Sequence, residues 1–530
     1  MTSGPGAGED HYLGSPRRPR SGAVAAVRHL WGHPREAGAI LWARLTGKRL
    51  RARQRAAALI GIDHRLRLPA RALERVPKDA DDLGDAIALV GHGALVTGAA
   101  KRIAAAFAAH PDLHAVYGDA LIQGRPGGPV LPLLPPVFDA DRLAAFDYLG
   151  PLLAYRRAAL EPEFRPVSPA DAAFRIADRY GARAIGHLPD ILSLGHTVGE
   201  GGQDRHEAAV RAHLHRTGRT DIGVAAGSDG LLQLLRPLPD PRPLASLIVP
   251  TRDRLDLLRP CLESLRTCTD WPSIEILVCD NDSRDPETLA YLRALERAGG
   301  AQVVPCPGPF NFAAMNNAAA ARARGGLLVF VNNDVEAFQP DWLSRMAREA
   351  LRPEVGAVGA KLLDGAGRIQ HGGIVLGTGG LVTHGHRHFP GDAPGYLAAL
   401  RVTHAVSAVT AACLIVETWK FRAVGGFDAA AFAVDFNDVD LCLRLNAAGY
   451  RTLLAPGAVL HHREAASRRW TPEARARHAR EIAALKKRWG PLLVQDPHYH
   501  PGFDPDLSTH ARLRPGFPEA GPAPLRRPPG

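Results

Sequence analysis

Between residues 244 and 350, short apolar runs rich in β-branched residues alternate with amphipathic stretches. Residues 246–251 (SLIVPT) predict a strand and 255–267 an amphipathic helix. A strand is expected over 274–281 (IEILVCDN), then a helix from about 286 to 297 and a short strand over 302–306. A helix near 312–324, a strand over 327–332 (LLVFVN) and a helix from about residue 340 complete the series. Strands that are apolar throughout, separated by helices, predict a parallel sheet covered on both faces. Ligands in such sheets bind beyond the carboxyl ends of the strands. Polar residues fall at those ends: Thr251-Arg252-Asp253, Asp280-Asn281-Asp282 and Asn332-Asn333-Asp334. A later apolar strand, 451–460, runs into His461-His462.

Other parts of the chain break this pattern. Residues 1–22 are rich in Gly, Pro, Ser and Arg and are expected to be disordered. Residues 23–82 form a basic segment with apolar residues at helical spacing (Val27, Leu30, Trp31, Ile40, Leu41, Leu45) and a break at Pro34. Residues 83–235 read as a separate α/β region. Alternate prolines over 236–243 mark an extended linker. Residues 244–495 form the alternating domain, and 496–530 a Pro-rich tail expected to be disordered.

Charge sharpens this division. The chain has 530 residues and a formal charge of +11, and residues 16–75 alone hold fifteen Lys and Arg against three Asp and Glu. The remainder is close to neutral, which argues against a nucleic-acid binder, since that function needs basic residues on the docking face. A basic amphipathic segment instead suits an anionic membrane surface, or a solvated helix packed on its neighbour. No run of about 18 apolar residues predicts a membrane span. Six scattered cysteines without a CxxC pair fit a reducing compartment. The expected location is cytoplasmic, with the basic segment on an anionic membrane surface.

The strand ends carry neither a GxGxxG fingerprint nor a P-loop, so phosphate charge must be met another way. A carboxylate-held divalent cation is one way, and Asp334, closing an apolar strand, is the candidate ligand. Asn-Asn-Asp is equally a turn sequence. Further on, Gly425-Gly426-Phe427-Asp428 precedes Asn437-Asp438, which reads as a helix start. An acid there is expected to stay ionised and able to accept a proton, although a simple cap gives the same sequence. His461 or His462 could join a metal or phosphate site, or lie on the surface.

In order, the segments SLIVPTRDR, ILVCDNDS, FNFAAMNNAAAARARGGLLVFVNNDV, IQHGGIVLG, AACLIVETWKFRAVGGFD and FNDVDLCLRLNAAGYRTLLAPGAVLHHRE resemble the family 2 inverting glycosyltransferases of GT-A fold. The resemblance is nearest to the bacterial branch that builds surface polysaccharides, often by rhamnosyl transfer. It implies a Rossmann-like, mostly parallel sheet with helices on both faces. It places Pro250, Thr251, Asp253, Asp280, Asn311, Asn332 and Asn333 at the nucleotide-sugar, and Asp334 with His462 (or His461) at a divalent Mg or Mn ion. Asp438 falls on the general base. Asn437 replaces the family's Glu, and Asn332 replaces the first acid of its Asp-x-Asp. Gly426, Asn437 and Trp470 are candidates for donor and acceptor loops, and the loop over 383–396 for specificity. The implied partners are a UDP-, dTDP- or GDP-sugar and a glycan or lipid-linked acceptor. With two motif acids replaced by Asn, the alternative is an inactive carbohydrate-binding or scaffold protein. A nucleotidyltransferase would need a basic glycine-rich loop after the first strand, and only Arg252 and Arg254 lie there.

The region before the linker resembles the back part of the same fold. Residues 111–116 (PDLHAV) resemble 353–358 (PEVGAV), and 152–160 (LLAYRRAAL) resemble 413–421 (CLIVETWKF). Gly91-His92-Gly93 stands where the later copy has Asn332-Asn333-Asp334, and Ala170-Asp171 falls near the base position. A degenerate, non-catalytic repeat is expected there, or else an unrelated α/β domain.

Overall fold

The computed structural model describes residues 33–61, 75–76, 87–92, 94–123, 130–196, 202–463, 471–505, 507–517 and 524–529. Two compact units emerge: residues 1–236 with 393–402 and 497–530, and residues 237–392 with 403–496. The division at residue 236 falls where the alternate prolines begin.

The second unit follows the predicted alternation closely. Its elements are β1 (Ala245–Thr251), α1 (Leu255–Thr267), β2 (Ile274–Asp280), α2 (Pro286–Arg297), β3 (Gln302–Pro305), α3 (Phe312–Arg322), β4 (Leu327–Val331), β5 (Val335–Ala337), α4 (Trp342–Ala350) and β6 (Val355–Leu363). Then come β7 (Ile369–His371), β8 (Ile374–Leu376), β9 (Val382–His384), β10 (His404–Ala405), β11 (Cys413–Glu417), α5 (Thr418–Ala423), α6 (Asn437–Ala447), β12 (Arg451–His462) and α7 (Pro472–Trp489). Ten of these strands form one sheet in the order β3-β2-β1-β4-β11-β6-β12-β5, with β7 on β6 and β10 on β12. β1 to β4 pair in parallel, as the alternation predicts. Past β4 the sheet is mixed, because β11 runs antiparallel to both β4 and β6.

Strand alternation supplies two cores. Leu327, Val329 and Val331 of β4 face one side with Leu258 and Leu262 of α1, Leu292 of α2 and Leu343 of α4. Leu328 and Phe330 face the other with Ala319 of α3, Phe421 of α5, Leu441 of α6 and Leu485 of α7. Period-2 side-chain direction in an all-apolar strand produces this double burial. Burying each such Leu, Val or Phe contributes about 1.5–3 kcal/mol, so the strands whose ends carry the polar loops are anchored on both faces.

The first unit has a seven-stranded sheet. Its order is 75–76, 94–96, 185–196, 115–123, 152–156, 87–91, with 130–133 paired to 115–123. Strand 115–123 runs parallel to 185–196 and antiparallel to 152–156 and 130–133. Strand 152–156 is antiparallel to 87–91, and 94–96 to 185–196. In the second unit β6, β12, β11, β7, β4 and β5 repeat this pattern pair for pair. Asp171 lies in the first turn of the helix Pro169–Tyr180, capped by Ser168, and its carboxylate accepts the Val167 N–H at 3.2 Å.

The expectation of a disordered tail fails for most of its length. Phe503, Leu507 and Ala511 are buried, and Arg526 pairs backbone to backbone with His187. Proline removes ladder donors but leaves an extended strap free to bury side chains. Residues 393–402, including part of the 383–396 loop assigned to specificity, belong to the first unit, where Tyr396 Oη accepts the Leu134 N–H at 2.8 Å. Pro34 opens a helix, Pro34–Leu45, as a first-turn proline does. A second helix spans Arg49–Ile60. Residues 1–22 lie outside the described residues. All six cysteines are free thiols.

Candidate active site

The loops beyond the carboxyl ends of β1, β2 and β4 are tied to one another by side chains. Asp253 Oδ1 accepts the N–H groups of Arg284 and Asp285 at 2.7 and 2.8 Å, and its own N–H donates to Ser283 Oγ at 2.8 Å. Asp280 Oδ1 accepts the Ser283 N–H at 3.2 Å. Asn333 Nδ2 donates to Thr251 Oγ1 at 3.1 Å, joining the β1 end to the β4 end. Pro250 is buried within β1. Asp253, Arg254 and Asp282 all hold positive φ, between 53° and 55°. That conformation costs an L-residue about 1–2 kcal/mol, and such strain concentrates where function fixes the backbone.

Asp334 and His462 meet across the sheet. β5 pairs antiparallel with β12, with His462 opposite Val335 and His461 opposite Glu336. His462 Nε2 lies 3.1 Å from Asp334 Oδ1. His461 turns the other way and packs against Phe338, with ring centroids 4.5 Å apart and the planes tilted by 34°. A one-residue step along a strand reverses the face, so His462, not His461, faces the acid.

Asp438 opens α6, just after Phe436 at φ 61°. Its Oδ2 accepts the Ala411 N–H at 3.1 Å and its Oδ1 the Val439 N–H at 2.8 Å. Burial pushes its carboxyl above the ordinary carboxylate range, and the bonds from Ala411, Val439 and Thr410 pull back only in part. The helix terminus alone predicts an ionised acid; burial raises its proton affinity and leaves a more basic carboxylate. The 410–412 strip joins Asp438 to the other pair, because the Asn332 N–H donates to Ala412 O at 3.0 Å.

Residues 246–369 match the family model described as Glycosyl transferase family 2. The second unit carries a family 2 glycosyltransferase domain. The chain is 38% identical over 447 residues to "Uncharacterized protein y4gI" of Sinorhizobium fredii (strain NBRC 101917 / NGR234), covering 80% of this chain and 48% of that protein. It is 34% identical over 438 residues to "O-antigen biosynthesis protein RfbC" of Myxococcus xanthus, covering 79% and 34%. The chain thus spans half or less of the length of these curated relatives. Among solved structures, a mannosyltransferase from Pyrobaculum calidifontis in complex with GDP-Man and Mn2+ is 19% identical, with a TM-score of 0.35 over 49% of this chain and 68% of that one.

Other predicted positions in the glycosyltransferase domain have internal partners. Asn311 caps α3 through the Ala314 N–H at 2.9 Å and donates to Ala429 O at 3.1 Å. Asn437 is buried and donates to Val434 O at 2.9 Å. Gly426 holds φ 68°, and a Cβ there would come within 2.8 Å of Asn317 Oδ1. Trp470 lies outside the described residues.

Two further histidines meet nearby, His371, to which the sequence assigns no role, and His384, which lies in the 383–396 loop expected to set specificity. His371 of β7 and His384 of β9 approach at 2.8 Å between Nδ1 atoms. Burial drives both toward the neutral form, His384 to about 3. The signal was present in IQHGGIV and THGH, where a histidine interrupts an apolar or Gly-rich run, but their meeting depends on the β8–β9 hairpin.

Proposed function

We propose that this domain transfers a sugar from a nucleoside-diphosphate sugar to a hydroxyl of a glycan or lipid-linked acceptor, with inversion, in surface-polysaccharide synthesis. The observation that carries the reading is the half-buried Asp438 carboxylate, joined through residues 410–412 to the strand-end rim of Asn332-Asn333-Asp334. Asp438 takes the proton of the acceptor hydroxyl. The freed oxygen forms a bond to the anomeric carbon as the bond to the diphosphate oxygen breaks on the opposite face. One displacement inverts the configuration and needs one carboxylate on the attacking side.

Asp334 and His462 suit a divalent cation. They offer one oxygen and one nitrogen donor, a set that Mn2+ accepts and that Mg2+ meets through the carboxylate. His462 Nδ1 is buried without a hydrogen-bond partner, leaving Nε2 as the nitrogen turned to Asp334. Such an ion, when bound, would neutralise charge on the leaving diphosphate. Thr251, Asp253, Asp280 and Asn333 form the loops against which the nucleotide would lie.

The acceptor chemistry is consistent with a membrane surface. In the helix Pro34–Leu45, Leu41, Trp42 and Leu45 are 57%, 67% and 75% exposed, beside Arg44 and Lys48. Apolar residues with a Trp next to basic charge suit anionic lipid. No described helix is long and apolar enough to cross a membrane.

The test is a panel of UDP-, GDP- and dTDP-sugars with Mg2+ or Mn2+, with product anomeric configuration read by NMR. Asp438→Asn is expected to cut transfer on the order of 10²–10⁴-fold while keeping donor binding by calorimetry. Wild-type turnover in that variant overturns the base assignment, and absence of both turnover and nucleotide binding in the wild type supports a scaffold.

A further inference from the structure

Helix α7 follows the last strand of the second unit and lies outside its strand–helix alternation. Yet His478, Glu481, Arg488 and Trp489 of this helix all bond to residues 428–440, the stretch that carries Asp438. Glu481 is central. Its two carboxylate oxygens accept successive backbone N–H groups, Oε1 from Val434 at 3.2 Å and Oε2 from Asp435 at 2.6 Å. Its side chain is 4% exposed, and Arg477 of the same helix lies 3.6 Å away. His478 Nδ1 lies 3.0 Å from Asp435 Oδ2, and its ring stacks on Phe436 with the planes 25° apart. Further along, Arg488 bridges Asp440 Oδ1 and Asp428 Oδ2, both at 2.7 Å, and Trp489 Nε1 donates to the same Asp440 oxygen at 3.0 Å.

The turn into α6 needs this support. Phe436 precedes the helix at φ 61° and gives it no side-chain cap. That conformation costs an L-residue about 1–2 kcal/mol, and it persists only where the surroundings over-determine it. Asn437 Nδ2 holds the Val434 carbonyl from within the turn at 2.9 Å. The N–H groups of 434 and 435 are held from α7.

Packing alone does not account for an acid here. Burial raises the proton affinity of Glu481, and the charge of Asp435 adds to the effect. For packing, an apolar side chain serves at least as well as a buried ion pair. What a carboxylate adds is two aimed, charge-assisted bonds to backbone donors.

We propose that Glu481, together with His478, is a positioning residue for sugar transfer: it fixes the strained turn at 434–436 and thereby sets where the Asp438 carboxylate stands. The inference rests on the reading of Asp438 as the base. Asp438 lies two positions beyond Phe436, in the first turn of α6. A change of φ at Phe436 therefore re-aims the helix start and the carboxylate with it. A misplacement of about 1 Å can cost on the order of 10²-fold in rate. Glu481 and His478 act through Asp438, so their loss should lower the rate of the chemical step and spare donor binding.

The experiment uses the full chain, the panel of UDP-, GDP- and dTDP-sugars with Mn2+, and release of nucleoside diphosphate with water as the acceptor. Wild type, Glu481→Ala, Glu481→Gln, His478→Ala and Asp438→Asn are compared, each checked by circular dichroism at the assay temperature. We expect kcat to fall at least about tenfold in Glu481→Ala and about threefold or more in His478→Ala, with donor KM and calorimetric Kd within about twofold of wild type. Glu481→Gln keeps one carbonyl oxygen for the two N–H groups and should recover part of kcat. A role confined to stability would lower the melting temperature and leave kcat of the folded protein unchanged. Wild-type kcat in folded Glu481→Ala and His478→Ala, beside an inactive Asp438→Asn, overturns the positioning role and leaves the base in place. A rise in KM with kcat unchanged overturns it as well. If Glu481→Ala does not fold, His478→Ala decides, since that side chain is 31% exposed. Wild-type turnover in Asp438→Asn removes the base reading and this one with it.

Discussion

At Asp438, burial and hydrogen bonding act against each other on one carboxylate. Burial dominates and raises its proton affinity. The protonated acid is therefore favoured by folding, so the ionised group lowers stability at neutral pH, and that penalty is relieved as pH falls through the folded-state value. Asp438→Asn is expected to melt higher than wild type at pH 7 while transfer falls on the order of 10²–10⁴-fold. Calorimetry and a transfer assay read the two effects; a lower melting temperature would contradict the burial argument. A base must be deprotonated, so kcat/KM should fall on the acid side of a limb set by Asp438. Thr410 lowers that value through a hydrogen bond, so Thr410→Val should move the limb to higher pH. An unmoved limb would assign it to another group. Asp438, Asp334 and His462 were legible in the sequence because each sits at a strand end or helix start, and because the ordered motifs resemble one family. His371 and His384 were not, since thirteen positions and a hairpin separate them and a single sequence does not reveal which histidines meet.

Elements were legible where local chemistry punctuates them. α2 starts where Asp285 caps the Thr288 N–H at 2.8 Å and Pro286 takes the first turn, so its limits match the reading. Strand order past β4 was not legible, because a strand's apolar run is the same whichever way it pairs. The loop after β1 shows how one site residue also holds an element. Asp253 Oδ1 accepts two backbone N–H groups at the start of α2. Asp253→Ala leaves both donors without that acceptor and should cost about 1–3 kcal/mol, read by urea unfolding. Asp253→Asn keeps a carbonyl oxygen in place and should recover part of the loss. If both variants unfold like wild type, Asp253 does not hold α2.

The whole chain places two sheets of like pairing in one polypeptide, and only the second has an acid at the Asp334 position. The likeness was partly legible from PDLHAV and PEVGAV, whereas the strap was obscured by its prolines. In the first unit Asp171 is occupied in its own helix cap, so Asp171→Asn is expected to leave transfer unchanged, and a large loss would show that this unit takes part in the chemistry. The positive charge lies ahead of both sheets, in a segment that the proposed chemistry does not use. Its helix Pro34–Leu45 leaves Leu41, Trp42 and Leu45 exposed, so changing them removes little folded-state packing. If these side chains enter the lipid boundary while nearby arginines meet anionic headgroups, both terms add. Replacing all three with Ser should weaken binding to phosphatidylserine-containing vesicles by at least about tenfold, since each buried side chain contributes on the order of 1 kcal/mol or more. Binding of the wild type should fall as salt rises, because exposed charges are screened over about 10 Å at 0.1 M. Donor hydrolysis should remain, since the changed residues lie outside the second unit. Vesicle binding that is indifferent both to the triple change and to salt would show that this helix does not bring the enzyme to the membrane.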